Sequence, residues 1–344
     1  MQSRALPLIC AIALNLTFLP LLQAKEFPAP ATVSAEMAQT ISAQPGALWL
    51  STVQKAQEVS SIAANYAKNA GPTAQALANK LGVKVEQGSL GGVPTFTLTP
   101  SNLPPDRKDK VVFYIHGGGY ILGHGLSGIG EAALLAGLEH YKVICVDYRM
   151  APEYPFPAAI DDAFAAYKAL VKEVGAKNIV VFGTSTGGAM TLILALQAHR
   201  NKVAMPAALI SGTPWSDINK IGDSYFVNDG VDNVLATYDR LISTAARLYV
   251  GKANSKDPLI SPVYASDDEL KAFPPTLLLS GTRDLFLSNT VRMQKRLLQN
   301  SVDVDLIVYE GLSHAQYYLN TAALETKEHY AFLGQYLGKV FNKK

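Results

Sequence analysis

Cysteine is almost absent: the 344-residue chain carries two, Cys10 and Cys145. That excludes a disulfide-stapled fold. Cys145 sits in the apolar run YKVICVDY and reads as a small core residue with no redox role. Charge of one sign is equally scarce. The 30 Lys and Arg against 28 Asp and Glu leave a net +2, and no basic run is longer than the terminal NKK. A nucleic-acid partner is therefore not expected. There is no internal repeat and no low-complexity tract, which excludes solenoids and fibrous folds. No metal-ligand cluster such as H-E-x-x-H is present, and neither a metal nor an organic cofactor is expected. Apolar residues make up 49% and charged residues 17% of the chain, which leaves a globular protein with a large core.

The first 24 residues differ from the rest. A short basic start, MQSR, precedes the apolar ALPLICAIALNLTFLPLL, and Ala24 ends the stretch before Lys25. That is a secretory signal layout. A membrane anchor is the competing reading, since the run just reaches the ~18 residues that span a bilayer. Pro7, Asn15 and Pro20 interrupt it, which favours cleavage after Ala24 and a periplasmic or secreted protein with no stable membrane span. Leu22 is larger than the residue preferred three positions before a cut. A lipoprotein reading on Cys10 lacks the small residue expected where Ile9 stands.

From Ala31 to about Leu81 apolar residues recur at helical spacing, with Gly71-Pro72 expected to break the run. VKVEQ and VPTFTLTP read as strands joined by GSLGG. Short apolar runs then alternate with helical patterns: VVFYIH, YKVICVDY, NIVVFG, AALISG, TLLLSG and VDLIVYEG. Such alternation predicts an α/β fold, a mostly parallel sheet covered by helices on both faces. The interval from Thr213 to about Pro258 is too long for a simple connection and carries a helical pattern in VLATYDRLISTAARLYVG, so it is expected to be a lid or binding element.

One strand ends unusually. In VVFGTSTGGAM, residues 180–190, Ser185 lies between Gly183 and Gly187 with an apolar helix pattern beyond. Gly-x-Ser-x-Gly between a strand and a helix is a nucleophile elbow: the serine takes a strained backbone, and its neighbours two residues away would collide if they bore side chains. The helix that follows aims free N–H groups and the positive end of its dipole at the site. A serine hydroxyl also needs a base. Of six His, His314 stands in a loop directly after the last strand pattern, and loops at that edge of a parallel sheet gather where the elbow opens. His199 lies more than three turns along the elbow's own helix, and His329 falls in the final helix. An acid must orient the imidazole. Asp284 follows TLLLSG between Ser185 and His314, whereas Asp257, Asp267 and Asp268 follow no strand. A helix cap or an ion pair with Arg283 is the alternative role for Asp284. YIHGGGYI follows another strand; its bare backbone, with the N–H of Thr186, can form an oxyanion hole.

Together HGGG at His116–Gly119, DYRMAPEYPFPAAIDDA from Asp147, GTSTGG at Gly183–Gly188, GTRDLFLSNTVRM from Gly281 and GLSHAQ around His314 resemble the hormone-sensitive-lipase-like esterases of the α/β-hydrolases. The resemblance runs from about Val83 to the C-terminus. It implies an eight-stranded, mostly parallel sheet with a helical cap. The domain layout is then a signal peptide at 1–24, an N-terminal cap segment at 25–82 and a catalytic domain at 83–344 with a cap insertion at about 213–258. By position it implies Ser185 as nucleophile, Asp284 as acid and His314 as base. Gly118, Gly119 and Thr186 become the oxyanion donors, with His116, Gly117, Gly183 and Gly187 supporting. Tyr148, Arg149 and Glu153 would brace the elbow's surroundings. Thr186 stands where alanine is common, and DLF replaces the usual Asp-Pro-Leu at the acid.

The expected activity is hydrolysis of small-molecule esters, short acyl chains above all, through a Ser-His-Asp triad and an acyl-enzyme. Lactone or amide hydrolysis by the same groups, or a non-catalytic small-molecule binding protein, are the alternatives. Trp49, Trp215, Tyr225 and Phe226 are candidates for the pocket wall or for ordinary core.

Overall fold

The computed structural model describes residues 27–342; the expected signal peptide and Cys10 lie outside the described residues. The chain opens with helices α1 (Ala35–Ile41) and α2 (Ala56–Lys80). Strands β1 (Val83–Leu90) and β2 (Val93–Pro100) form a hairpin. Then follow β3 (Val111–Ile115), α3 (Gly130–Glu139), β4 (Lys142–Val146), α4 (Ala158–Val174), β5 (Ile179–Thr184), α5 (Thr186–Arg200) and β6 (Ala208–Gly212). The remainder comprises α6 (Ser224–Val227), α7 (Leu241–Val250), α8 (Asp267–Leu270), β7 (Thr276–Gly281), α9 (Leu287–Gln299), β8 (Val304–Tyr309) and α10 (Leu324–Phe341).

The eight strands form one sheet in the order β1-β2-β4-β3-β5-β6-β7-β8. β1 and β2 run antiparallel, β2 is antiparallel to β4, and every other neighbouring pair is parallel. Strand alternation splits the core into two layers. In β3, Val111, Phe113 and Ile115 face a layer filled by α4, α5 and α9. Val112 and Tyr114 face the layer of α3 and α10. Parallel strands with helical crossovers bring the C-terminal ends of β3, β5, β7 and β8 to one edge, and the loops that carry the candidate site all leave from there.

Three local expectations need correction. Gly71-Pro72 does not end the first long helix; α2 runs through both to Lys80. Pro72 removes one helix hydrogen bond. The buried stripe of Gly71, Ala74 and Ala78 continues in helical register, and a Cβ on Gly71 would lie 3.5 Å from Leu126 Cβ, so packing against that loop carries the helix onward. The β1–β2 connection is shorter than GSLGG. Leu90 pairs with Val93, and Gly91 and Gly92 alone turn the chain, at φ +58° and +83°, as a two-residue hairpin requires. In the long interval only Leu241–Val250 of the expected helix forms. Asp232 Oδ1 takes the N–H groups of Val234 and Leu235 (2.9 and 3.0 Å), and Ala236 turns left-handed at φ 62°; both block an earlier start.

Candidate active site

β5 stops at Thr184 and α5 starts at Thr186. Ser185 alone makes the turn, at φ 65° and ψ −121°. For a residue with a Cβ that conformation costs roughly 1–3 kcal/mol and must be held from outside. Ser185 N–H donates to Gly212 O at 2.8 Å, and Ser185 O accepts from Ala189 N–H and Trp215 N–H, both at 3.1 Å. The hydroxyl makes no helix-capping bond. A Cβ on Gly183 would strike the Gly187 carbonyl and sit 2.6 Å from Ile115 O; one on Gly187 would meet the carbonyls of both Ile115 and His116. Both glycines are steric requirements of the turn.

The 116–119 loop lies directly against the elbow. A Cβ on Gly117 would fall 2.7 Å from Thr184 O and 3.1 Å from Ser185 Cβ. Gly118 has φ +115° and Gly119 φ +67°, left-handed conformations that favour glycine. Gly119 is covered by the indole of Trp49. His116 is buried; its Nδ1 donates to Gly117 O at 2.7 Å, and its ring stacks on Tyr148 at 4.2 Å. The Tyr148 hydroxyl donates to His116 O at 2.8 Å. Burial lowers the His116 pKa, which disfavours the charged ring. Arg149 and Glu153 make their contacts on helices: Arg149 pairs with Asp162 on α4 at 2.7 Å, and Glu153 accepts from Ser60 on α2 at 2.6 Å. Both side chains find partners on the helices nearest the 149–153 turn.

Asp284 leaves the end of β7 and His314 the end of β8. His314 Nδ1 and Asp284 Oδ1 are 2.9 Å apart, with the two residues 3% and 0% exposed. Asp284 Oδ1 also accepts Phe286 N–H at 2.8 Å, and Oδ2 accepts the Ser280 hydroxyl at 2.8 Å. A carboxylate loaded this way is an acceptor only, so it fixes the imidazole tautomer with hydrogen on Nδ1. Nε2 is left as the acceptor and makes no hydrogen bond within the described residues. The ring is held edge-on against Phe286, centroids 4.9 Å apart. Ser185, His314, Gly117 and Gly118 line one cavity of about 780 Å³. The other aspartates are elsewhere: Asp257 caps the turn at Leu259, and Asp267 and Asp268 pair with Arg296 and Lys271. His199 is exposed on α5. His329 is buried beside Tyr309, where desolvation pushes its pKa down to about 3.

Of the aromatic wall candidates, Trp49 lines the cavity. Trp215 and Tyr225 are core, Trp215 stacked on Phe286 at 5.2 Å, and Phe226 points to solvent with 64% exposure.

Three polar groups that no motif signals also meet at the site. Glu131 on α3 is buried and accepts from Tyr114 OH at 2.6 Å and from Thr184 Oγ1 at 2.8 Å. Burial pushes its pKa up to about 7. Asp232, wholly buried in the long insertion, accepts N–H groups from Leu285 and His314. Burial first, and the nearby Asp284 second, raise its pKa to about 6. Asn228 donates to the carbonyls of Asp284 and Thr282 at 2.9 and 3.2 Å.

The model of a family described as having the alpha/beta hydrolase fold matches residues 112–318. An esterase of Acinetobacter venetianus is 29% identical over 253 residues, 71% of this chain and 82% of the relative. An acetyl-hydrolase of Streptomyces hygroscopicus is 28% identical over 263 residues, 73% and 84% of the two chains. Among solved structures, esterase E25 superposes with a TM-score of 0.86 at 38% identity, covering 92% of this chain and 97% of that one. A hormone-sensitive lipase from a metagenome library gives 0.71 at 26%, covering 85% and 100%. The chain belongs to the α/β-hydrolases, within their hormone-sensitive-lipase-like esterase branch.

Proposed function

We propose that the protein is a serine carboxylesterase acting on short-chain esters through Ser185, His314 and Asp284. The observation that carries this reading is the oriented imidazole. His314 Nδ1 is engaged by a buried carboxylate, while Nε2 is unbonded in the cavity that a strained elbow serine also lines.

In the proposed reaction His314 Nε2 takes the Ser185 proton as Oγ attacks the ester carbonyl. The tetrahedral oxyanion rests on backbone N–H groups of Gly118, Gly119 and Thr186. Thr186 opens α5, and the first-turn amides of a helix have no partner inside it. The imidazolium then protonates the leaving alcohol. Water repeats the sequence on the acyl-enzyme and releases the acid, so Asp284 stays charged throughout. His116, stacked on Tyr148 and hydrogen-bonded to Gly117 O, supports the loop and transfers no proton. The preference for short acyl groups rests on relatives, among them the acetyl-hydrolase above and an ethyl acetate hydrolase of Pseudomonas putida at 29% identity. The two segments at 25–82 and about 213–258 act as the cap, since Trp49 and Leu235 from them line the cavity. Export through residues 1–24 belongs to the same proposal and rests on their sequence pattern.

The test is Ser185→Ala with aryl esters of increasing acyl length, lactones and amides included. Turnover should fall at least about 10⁴-fold and a serine-directed phosphonate should no longer label the protein. Ester cleavage persisting in the purified variant refutes the nucleophile. A faster lactone or amide than any ester moves the substrate class.

A further inference from the structure

The acid and base loops of the site do not touch the cap insertion by chance contacts. Three residues within one short piece of that insertion, Asn228, Asp232 and Asn233, hold both loops by their polar atoms. Asn228 Nδ2 donates to Asp284 O and Thr282 O, on the loop of the acid. Asp232 Oδ2 accepts Leu285 N–H at 2.9 Å and His314 N–H at 3.3 Å, so one oxygen joins the residue after the acid to the base itself. Asn233 N–H donates to Ser313 Oγ at 3.1 Å. Its side-chain amide donates to Thr40 O, Ile41 O and Ala43 O at the end of α1 (2.7, 3.2 and 3.1 Å), and its Oδ1 accepts Gln316 Nε2 at 2.9 Å. Gln316 in turn accepts Ser313 N–H at 2.9 Å.

We infer that the Asn228–Asn233 segment is a staple that sets the register of Asp284 against His314 and ties that register to both pieces of the cap, which makes Asn228 and Asp232 positioning residues for hydrolysis. This rests on the triad reading proposed above. The reasoning is geometric. A carboxylate–imidazole bond between two loops on neighbouring strands has no covalent brace, and β7 and β8 end several residues before Asp284 and His314. Something must fix their separation to within a few tenths of an ångström for the imidazole to meet the serine. Arg283 N–H to Leu312 O at 3.0 Å and Gly311 N–H to Thr282 Oγ1 at 2.8 Å join the two loops near their strands; Asp232 adds the link at the acid and the base themselves, with a single atom. The same carboxylate fixes the start of the Val234-Leu235 stretch through its other oxygen, and both of those residues line the cavity. A cap displaced by a badly fitting substrate therefore pulls on the triad.

Asp232 cannot be replaced by its amide without conflict. Both of its oxygens accept backbone N–H groups, so either orientation of an asparagine sets an NH₂ against N–H donors. Asp232→Asn is therefore the strong variant, and Asn228→Ala, which removes the two hydrogen bonds to carbonyls of the acid loop, the mild one. Both are compared with wild type in three measurements: thermal unfolding, titration of active serine with a phosphonate, and kcat and KM on one aryl ester, each expressed per titrated site. The expected result is a kcat per active site lowered about 10²-fold in Asp232→Asn and about 5- to 20-fold in Asn228→Ala, with KM changed less than about threefold. The rate of phosphonate labelling should fall in parallel. A kcat per titrated site within about twofold of wild type in both variants overturns the staple, because a merely structural role lowers the number of folded sites and not their turnover. If Asp232→Asn does not fold, Asn228→Ala decides alone. Should Ser185→Ala keep ester cleavage, the catalytic reading fails; should it lose cleavage while both staple variants keep theirs, only the staple fails.

Discussion

Replacing Asp284 by asparagine separates two contributions of the acid that usually fall together. In the structure Oδ1 receives two N–H donors, from His314 Nδ1 and from Phe286, whereas Oδ2 receives only the Ser280 hydroxyl. An asparagine has one favourable orientation: carbonyl oxygen at the Oδ1 position and NH₂ toward Ser280, whose hydroxyl rotates to accept. The imidazole thus keeps its tautomer and place. What is lost is the negative charge facing the imidazolium that forms when Ser185 is deprotonated. At ~4 Å between charge centres and an effective dielectric of ~20, that interaction is about 4 kcal/mol, or about 10³-fold in kcat. This is less than the loss of about 10⁴ seen where the same change imposes the wrong tautomer. Asp284→Ala should cost more, since it also strips acceptors from two buried N–H groups at about 1–3 kcal/mol each. The assay is kcat on a saturating aryl ester for both variants, with thermal unfolding alongside. Equal losses in the two variants would mean that the amide does not hold the ring as argued. A kcat within about tenfold of wild type in Asp284→Asn would remove Asp284 from the triad, and a larger loss in Asp257→Asn would reassign the acid.

Further predictions test the scaffold. Gly187→Ala should destabilise by about 3 kcal/mol or more and abolish turnover, because its Cβ drives into the Ile115 and His116 carbonyls; Gly338→Ala, within α10 and with nothing inside 4 Å, should raise stability by roughly 0.5–1 kcal/mol, and the reverse order in a denaturant series would refute the elbow geometry. Glu131 has its pKa raised from 4.5 to about 7. A raised carboxyl supports the folded state fully below its unfolded value and loses that support as pH climbs toward and through its folded one. Relative to Glu131→Gln, wild type should therefore lose up to about 3 kcal/mol of stability as pH rises from 4.5 to about 7, because folding then holds a proton that the unfolded chain releases, at a cost of ~1.4 kcal/mol per pH unit. Parallel stability–pH curves for the two proteins would show that Glu131 does not titrate there.

What the sequence discloses here is what short-range chemistry encodes. The alternation of apolar strands and amphipathic helices announces the sheet because each element must bury one face. Gly183, Ser185 and Gly187 announce the elbow by their spacing between a strand and a helix pattern; a Cβ on Gly183 would strike Gly187 four residues on, whereas one on Gly187 would meet Ile115 and His116, which no local spacing reveals. His314 and Asp284 are legible through chain order alone, each just past a strand that ends at the same edge. The misreadings follow from the same limit. Gly71-Pro72 breaks an isolated helix, but the register of Gly71, Ala74 and Ala78 against neighbouring elements outweighs one lost hydrogen bond. The stretch from Val234 has helical periodicity, but Asp232 diverts its first amides into a turn. Asp232, Asn228 and Glu131 are invisible in the sequence, since their partners at the triad and the elbow lie 53 to 82 residues away. No spacing rule links a polar side chain to its partner across that distance.

The charges of the site then divide between its two halves. Around His314 the fold buries Asp284 and Asp232, and Glu131 lies close enough for its ionisation to be favoured by the imidazole. No lysine or arginine lines the cavity among the described residues. Acidic groups this close oppose a developing oxyanion, so the proposed tetrahedral intermediate needs donors of its own. In the proposed reaction donors without net charge offset this: the amides of the 116–119 loop and the first turn of α5 would hold the developing oxygen at short range, where a hydrogen bond outweighs a more distant carboxylate. Burial raises the pKa of Glu131 to about 7 and that of Asp232 to about 6, which lessens the opposition, chiefly at Glu131. In the proposed mechanism glycine at 118 and 119 is thus an electrostatic requirement as well as a steric one, since bare backbone brings its dipoles close enough to hold an anion in a cavity that no lysine or arginine lines among the described residues.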